Sequence, residues 1–227
     1  MSTEAKQNAP SADSVVVWEM YQSIQGESTW AGLPCIFIRL SGCPLRCTYC
    51  DTEYAFYGGE RQTISDVLAA IKQWECPLVE VTGGEPLAQP GCVTLLRELV
   101  AEGYAVLIET SGAFDTSDVP PEVHVILDIK CPSSGEQERN VYKNLNQLKP
   151  NDEVKFVIGT REDFDFAREI VSQYSLTPKC RQVLFSPVFG EIEPKQIVDW
   201  MLEENLNDVR FQLQMHKFIW DPLKKGV

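Results

Sequence analysis

The sequence predicts an α/β fold, a partial, open barrel of about six strand–helix units, and three observations predict it. Apolar, β-prone runs recur along the chain. Several are apolar at nearly every position, as parallel strands covered on both faces require. Amphipathic helical patterns separate them. The strand runs are "CIFIRL" (35–40), "LVEVT" (78–82), "YAVLIET" (104–110), "VHVILDI" (123–129), "EVKFVI" (153–158), "RQVLFS" (181–186) and "VRFQLQ" (209–214). A helix is predicted over 63–74, where Ile64, Val67, Leu68 and Ile71 fall at helical spacing behind a capping Thr63. Another covers 92–102, where Leu95, Leu96, Leu99 and Val100 precede Gly103. Two more patterns span 163–174 and 194–206, the latter opening on Pro194, which a first helical turn accepts. The connection "SGAFDTSDVPPE" (111–122) is too short and turn-rich for a helix. A closed eight-fold barrel takes roughly 250 residues, so a partial barrel fits better. Ligands of such folds gather at the carboxyl ends of the strands, and the informative short motifs follow strands here.

The 227 residues suit one domain, predicted over 15–227, behind a flexible polar tail over 1–14, "MSTEAKQNAPSADS". That tail lacks the basic-then-apolar order of a secretory leader, so a cytoplasmic protein is expected. No apolar run approaches the ~18 residues of a membrane span. With 20 Lys+Arg against 33 Asp+Glu the net charge is −13, a surface that repels phosphate backbones and argues against a nucleic-acid partner. Of the eight cysteines, Cys35, Cys76, Cys92, Cys131 and Cys180 stand singly and are expected to be small buried hydrophobes. The other three crowd into one loop.

That loop is "SGCPLRCTYCDT" (41–52), with Cys43, Cys47 and Cys50 at spacings of four and three. Structural zinc normally takes four ligands, and this chain has no second CxxC to complete a set. A redox pair needs only Cys47 and Cys50. Three thiolates suit a 4Fe-4S cluster that leaves one iron open to a small molecule. The CxxxCxxC spacing, with aromatic Tyr49 before the last cysteine, resembles the signature of the radical S-adenosylmethionine (SAM) superfamily. "TGGEP" (82–86), which alone would be an ordinary turn, adds to that resemblance. The resemblance implies a radical SAM barrel in which Cys43, Cys47 and Cys50 hold the cluster. Tyr49, Cys50 and Asp51 would then present the loop to SAM, and Gly84 and Glu85 would meet its amino group.

Further stretches narrow the family. "YQSIQGES" (21–28), Arg39, "CDT" (50–52), "ETSG" (109–112), "DIKCPSSGE" (128–136), "EVKFVI" and "QMHKFIWDP" (214–222) together resemble the 7-carboxy-7-deazaguanine synthase family over nearly the whole chain after the tail. That resemblance implies contraction of 6-carboxy-5,6,7,8-tetrahydropterin to 7-carboxy-7-deazaguanine with loss of ammonia, towards queuosine and related deazapurines. It also implies Mg²⁺, a homodimer, SAM that is regenerated, and an external electron donor of flavodoxin or ferredoxin type. Carried over residue by residue, Ile24, Gln25 and Gly26 meet the pterin edge mainly through backbone groups, with Glu27 nearby. Arg39 holds the substrate carboxylate, to which its fork of donors is suited. Thr52 offers its hydroxyl to Mg²⁺, a hard cation. Thr82, His216 and Pro222 belong to the substrate pocket. Glu109, Ser111, Asp128, Lys130 and the strand end Ser186, Pro187, Val188 and Phe189 belong to SAM.

The residues alone leave plainer readings open: a salt bridge for Arg39, a turn for Thr52, an ion pair for Lys130, and simple packing for His124. The chain also departs from the family pattern. Relatives can end at the position of Pro222, where this sequence continues "LKKGV", and some carry Ser-Pro-Lys in place of Asp128-Ile129-Lys130 or Gln in place of Ser186. Two rivals share the cysteine motif. One is a glycyl-radical enzyme activase, which would have to admit a protein loop; the other is a non-catalytic iron–sulfur module.

Overall fold

The computed structural model describes residues 12–227, so most of the predicted tail, residues 1–11, lies outside the described residues. Nine strands form one open sheet in the order β3-β1-β2-β4-β5-β6-β7-β8-β9. The seven predicted runs become β2 (Pro34–Leu40), β4 (Leu78–Gly83), β5 (Ala105–Thr110), β6 (His124–Ile129), β7 (Glu153–Ile158), β8 (Gln182–Pro187) and β9 (Val209–Phe211). All seven are parallel. The sheet gains two strands that the sequence reading lacked, β1 (Ser14–Ile24) and β3 (Glu60–Thr63), both antiparallel. They are only partly buried and carry polar residues such as Glu19, Gln22 and Arg61, so they lack the continuous apolar signal of the central strands. Predicted β9 runs three residues too long: Gln212 still donates to Phe185 O at 3.0 Å, but the chain then leaves the sheet.

The helices are α1 (Ile64–Ile71), α2 (Cys92–Ala101), α3 (Arg161–Tyr174), α4 (Pro194–Glu203) and the short α5 (His216–Ile219). Thr63 caps α1 by accepting from the Asp66 amide at 3.2 Å, and Gly103 closes the α2 turn at φ +89°. Thr160 and Asp163 form a reciprocal capping box on α3. No helix joins β5 to β6, and short 3-10 turns stand where a helix would join β6 to β7. The barrel is therefore incomplete on that side. No helix among the described residues is long and apolar enough to cross a membrane.

Alternation along each strand divides the sheet into two faces. Val79, Val81, Ile108, Leu127 and Phe156 are fully buried in the apolar core. Phe185 packs edge-on against Phe156 and against Phe164 of α3, each with ring centroids 5.7 Å apart. The opposite face is polar and lines a concave lumen. At the amino ends of β6 and β7 that lumen is plugged by the β1–β2 connection. Glu153 accepts from the Thr29 amide at 3.1 Å and from its hydroxyl, and pairs with His124 Nε2 at 3.0 Å. His124 is thus buried at the plug.

Candidate active site in the barrel lumen

A cavity of about 570 Å³ opens at the carboxyl ends of the strands. Its inner wall is made by every second residue of successive strands: Phe37 and Arg39 from β2, Glu80 and Thr82 from β4, Glu109 from β5, Asp128 from β6, and Lys155 and Val157 from β7. Its upper wall is the cysteine loop after β2. Buried Leu45 anchors that loop, Gly42 N donates to Ala55 O at 2.8 Å, and Thr48 binds the 132–134 turn through Ser133 O at 2.7 Å and Ser134 O at 3.0 Å. The same turn is tied to α3, because Ser133 N donates to Asp163 at 2.8 Å. The cysteines are therefore seated on the sheet, not on a free loop.

Cys43, Cys47 and Cys50 are partly exposed and face the cavity, whereas the five scattered cysteines are buried as expected. Burial pushes all three cavity thiols up, Cys47 to about 11, so a cationic centre would have to displace their protons on binding. Among the described residues no three His, Cys, Asp or Glu side chains converge as a single ion would need. A 4Fe-4S cluster takes each thiolate on a different iron, so its cysteines need not converge on one point, and three cavity-facing thiols in one loop suit it. The same wall has room for a polar ligand: the buried Tyr49 hydroxyl and Asp128 Oδ1 have no hydrogen-bond partner among the described residues.

The double glycine has a packing task as well. A Cβ on Gly83, at φ +135°, would lie 2.1 Å from Leu40 O, and one on Gly84 would lie 2.2 Å from Gly42 O. Their close approach is to the base of the cysteine loop, where Gly84 N donates to Leu40 O at 3.0 Å and Glu85 N to Gly42 O at 2.8 Å. Gly84 does line the cavity. Glu85, expected at the SAM amino group, does not. It is fully buried, and its carboxylate accepts from Leu87 N, Thr110 Oγ1, Ser111 N and Ser111 Oγ at 2.5–3.0 Å, so it holds β4 to β5. Ser186 and Pro187 are also buried outside the cavity wall, while Val188 and Phe189 reach it.

The remaining expected residues come together. Ile24, Gln25, Gly26, Glu27, Tyr49, Asp51, Thr52, Ser111, Lys130, His216 and Pro222 all border the cavity. Gly26 must lack a side chain, since a Cβ there would lie 2.3 Å from His216 Nδ1. Gln25 is less available than expected: its N–H donates to Leu33 O and its C=O accepts from Gly32 N, both at 2.8 Å. Arg39 commits Nε to Glu19 at 2.8 Å and Nη2 to Tyr21 at 2.9 Å, and Lys130 pairs with Asp128 at 2.8 Å. The ion-pair readings of both residues thus coexist with their cavity positions. Burial lowers the His216 pKa, favouring neutral imidazole.

Several cavity residues had not been singled out. Lys155 bridges Glu27, at 2.8 Å, and Glu109. Burial opposes the charge on Glu27, but Lys155 and His216 outweigh it and lower its pKa. Burial raises Glu109, with the neighbouring carboxylates Glu27 and Asp128 adding to the rise. Glu80 lies beside them. Lys217 reaches Asp51 at 2.7 Å, and Gln214 Nε2 donates to Glu27 at 2.9 Å, so the C-terminal segment is stitched to both substrate-side loops. The residues after Pro222 also border the cavity, with Lys225 Nζ 4.2 Å from the Tyr54 ring centroid. Glu80 was legible as the single charge in its apolar strand run, and Lys155 as one of two with Glu153.

Comparison with known proteins agrees with this geometry. The radical SAM superfamily profile matches residues 37–133. The 7-carboxy-7-deazaguanine synthase of Koribacter versatilis is 46% identical over 93% of this chain and 99% of its own length. That of Chlorobaculum tepidum is 43% identical over the full length of both. Among solved structures, QueE from Escherichia coli superposes with a TM-score of 0.68 at 25% identity, covering 89% of this chain and 95% of its own. With this identity sustained over whole chains, and with the three cysteines, the glycine turn and the polar lumen in one cavity, the chain belongs to the 7-carboxy-7-deazaguanine synthase family of the radical SAM superfamily.

Proposed function

We propose that the protein converts 6-carboxy-5,6,7,8-tetrahydropterin to 7-carboxy-7-deazaguanine with loss of ammonia. The observation that carries this reading is one cavity walled on one side by three thiols and on the other by a carboxylate, carboxamide and guanidinium set suited to a carboxylated heterocycle. A bound 4Fe-4S cluster with SAM supplies one-electron cleavage and a hydrogen-abstracting radical. Cys43, Cys47 and Cys50 would hold the cluster. Asp128, Lys130, Ser111 and the Gly84 backbone border the space for SAM. Arg39 would fix the substrate carboxylate while Glu27, held ionised by Lys155, accepts from the pterin N–H groups. The Tyr54 and Pro222–Gly226 side of the cavity screens the substrate from water.

Thr52, whose hydroxyl donates to Asp51 at 2.9 Å, is proposed to meet Mg²⁺ together with the substrate carboxylate. A homodimer is supported by the exposed apolar side chains Leu213, Met215, Phe218 and Ile219 on one C-terminal segment. An external flavodoxin- or ferredoxin-type donor would supply the electron. The test is anaerobic: reconstituted protein with SAM, reductant, Mg²⁺ and the pterin, product followed by mass spectrometry, and Cys47→Ala as control. Deazaguanine from the wild type alone supports the reaction. SAM cleavage without deazaguanine overturns the substrate and brings the glycyl-radical activase forward.

A further inference from the structure

Glu80 is an anomaly in its strand. It sits in β4, in the centre of the parallel sheet between β2 and β5, paired in register with Phe37 on one side and Leu107 on the other. Only 3% of it is exposed. An apolar residue would fill this position without the desolvation that a carboxyl group suffers there. Glu80 has no cationic partner of its own, since Lys155 is engaged by Glu27 and Glu109.

What Glu80 does hold is Gln25, whose Nε2 donates to Glu80 Oε2. Gln25 is equally buried, at 3% exposed, and its Oε1 accepts from the Glu27 amide at 3.0 Å. The chain of contacts runs from the sheet to the carboxamide to the backbone of the residue whose carboxylate faces the cavity. Its far end is fixed too, because Gly26 O accepts from Met215 N at 2.9 Å and Glu27 Oε1 from Gln214. Without the Glu80 acceptor, the Gln25 amide would be an unpaired donor inside the wall and the Ile24–Glu27 turn would lose its anchor to the barrel.

We propose that Glu80 is a positioning residue for substrate binding: through Gln25 it sets the height and orientation of the Ile24–Glu27 turn against the pterin-sized space. The inference rests on the proposed pterin reaction for the identity of the ligand, while the anchoring itself rests on the contacts above. The surroundings favour the neutral carboxyl. Burial raises its pKa well above the carboxylate range, and the Glu109 and Glu27 carboxylates add to the rise against opposing Lys155 and Gln25. A protonated Glu80 still accepts through its carbonyl oxygen, and so would a glutamine in its place.

That equivalence supplies the test. Glu80→Gln, Glu80→Leu and Gln25→Leu are prepared with the double variant Glu80→Leu/Gln25→Leu, all reconstituted with cluster. Binding of 6-carboxytetrahydropterin is measured by calorimetry with SAM present and no reductant, so no turnover occurs. Glu80→Leu is expected to weaken the pterin about ten-fold or more, as an orphaned buried donor does, with SAM affinity held within about three-fold. Glu80→Gln is expected to retain binding within about three-fold of wild type, and the double variant to be no weaker than the worse single variant, because both remove one linkage. Equal losses in Glu80→Gln and Glu80→Leu, additive losses in the double variant, or a parallel fall in SAM affinity would overturn the positioning role. Should Glu80→Leu not fold, Gln25→Leu against Glu80→Gln gives the same contrast. Failure of wild-type protein to bind the pterin at all would count against the proposed reaction; in that case the anchoring is read from protease protection of the 24–33 segment, which Glu80→Leu should lose and Glu80→Gln keep.

Discussion

Replacing Lys155 by methionine removes the one cation that bridges Glu27 and Glu109. Lys155 is 4% exposed, and the stem of methionine fills most of its space, so the loss is mainly electrostatic. Two half-buried, desolvated carboxylates left beside each other without a counter-ion do not both stay charged; one takes up a proton. Protonating a carboxyl of ordinary pKa, about 4.3, costs about 4 kcal/mol at pH 7, which falls within the ~3–5 kcal/mol found when one partner of a buried ion pair is deleted. The pH dependence has a definite sign. In the wild type Glu27 lies below its unfolded pKa, so it contributes stability above that pKa and loses it on acidification. In the variant the protonated carboxyl has a raised pKa, and its stabilisation is present at low pH and lost as pH rises. The deficit of the variant should therefore shrink from about 4 kcal/mol at pH 7 to about 1 kcal/mol at pH 5, near 1.4 kcal/mol per unit. Lys155, whose own pKa is raised, loses its contribution only in the alkaline range above both values. Urea unfolding of the cluster-free chain under reducing conditions at the two pH values measures this. A deficit under about 1 kcal/mol at pH 7, or one independent of pH, would refute the claim that Lys155 holds ionised carboxylates.

Alanine at Cys43, Cys47 or Cys50 should abolish iron retention after reconstitution, whereas alanine at buried Cys35 or Cys92 should leave the iron content intact and lower only stability; iron and sulfide analysis separates the two groups. Gly84→Ala places a methyl 2.2 Å from Gly42 O and should cost about 1–3 kcal/mol, with the cysteine loop displaced and iron retention reduced. Thr160→Ala removes the α3 capping box and should cost about 1 kcal/mol, lowering Tm by roughly 2–4 °C while leaving substrate KM unchanged.

The central sheet was legible because parallel strands buried on both faces print themselves as unbroken apolar runs, as "VHVILDI" and "YAVLIET" do. β1 and β3 escaped because a half-exposed antiparallel strand needs apolar residues on one face only. In the site, residues that stand in short motifs were the ones sequence could single out: the three cysteines, Gly26 and His216 all border the one cavity. Glu85 could not, since "TGGEP" shows its order but not that its carboxylate turns away into Thr110 and Ser111. Lys155 and Glu80 illustrate the converse. Each is a charge inside an otherwise apolar strand run, Lys155 sharing its own with Glu153, yet which face it points to depends on register, and register is fixed only by neighbouring strands.

The distribution of charge in the lumen gives those anomalies a common purpose. Glu80, Glu109 and Asp128 share the β4–β7 wall with Lys130 and Lys155, so with Glu80 neutral two carboxylates balance two ammonium groups there, and Glu27 of the β1–β2 connection adds one negative charge to the lumen. SAM is cationic, and this is the wall on which its proposed contacts lie. The substrate is a carboxylate, and the other wall presents Arg39, Lys217 and Lys225. Each ligand therefore meets charges of both signs held at fixed positions by their partners, Lys130 with Asp128 on one side and Lys217 with Asp51 on the other, and a group of the wrong sign at any of them is disfavoured. A uniformly neutral lumen would bind both molecules through shape alone and could exchange their places. The buried carboxyls are costly to fold, and the Glu80–Gln25 linkage and the Lys155 bridge are the contacts that make the cost tolerable.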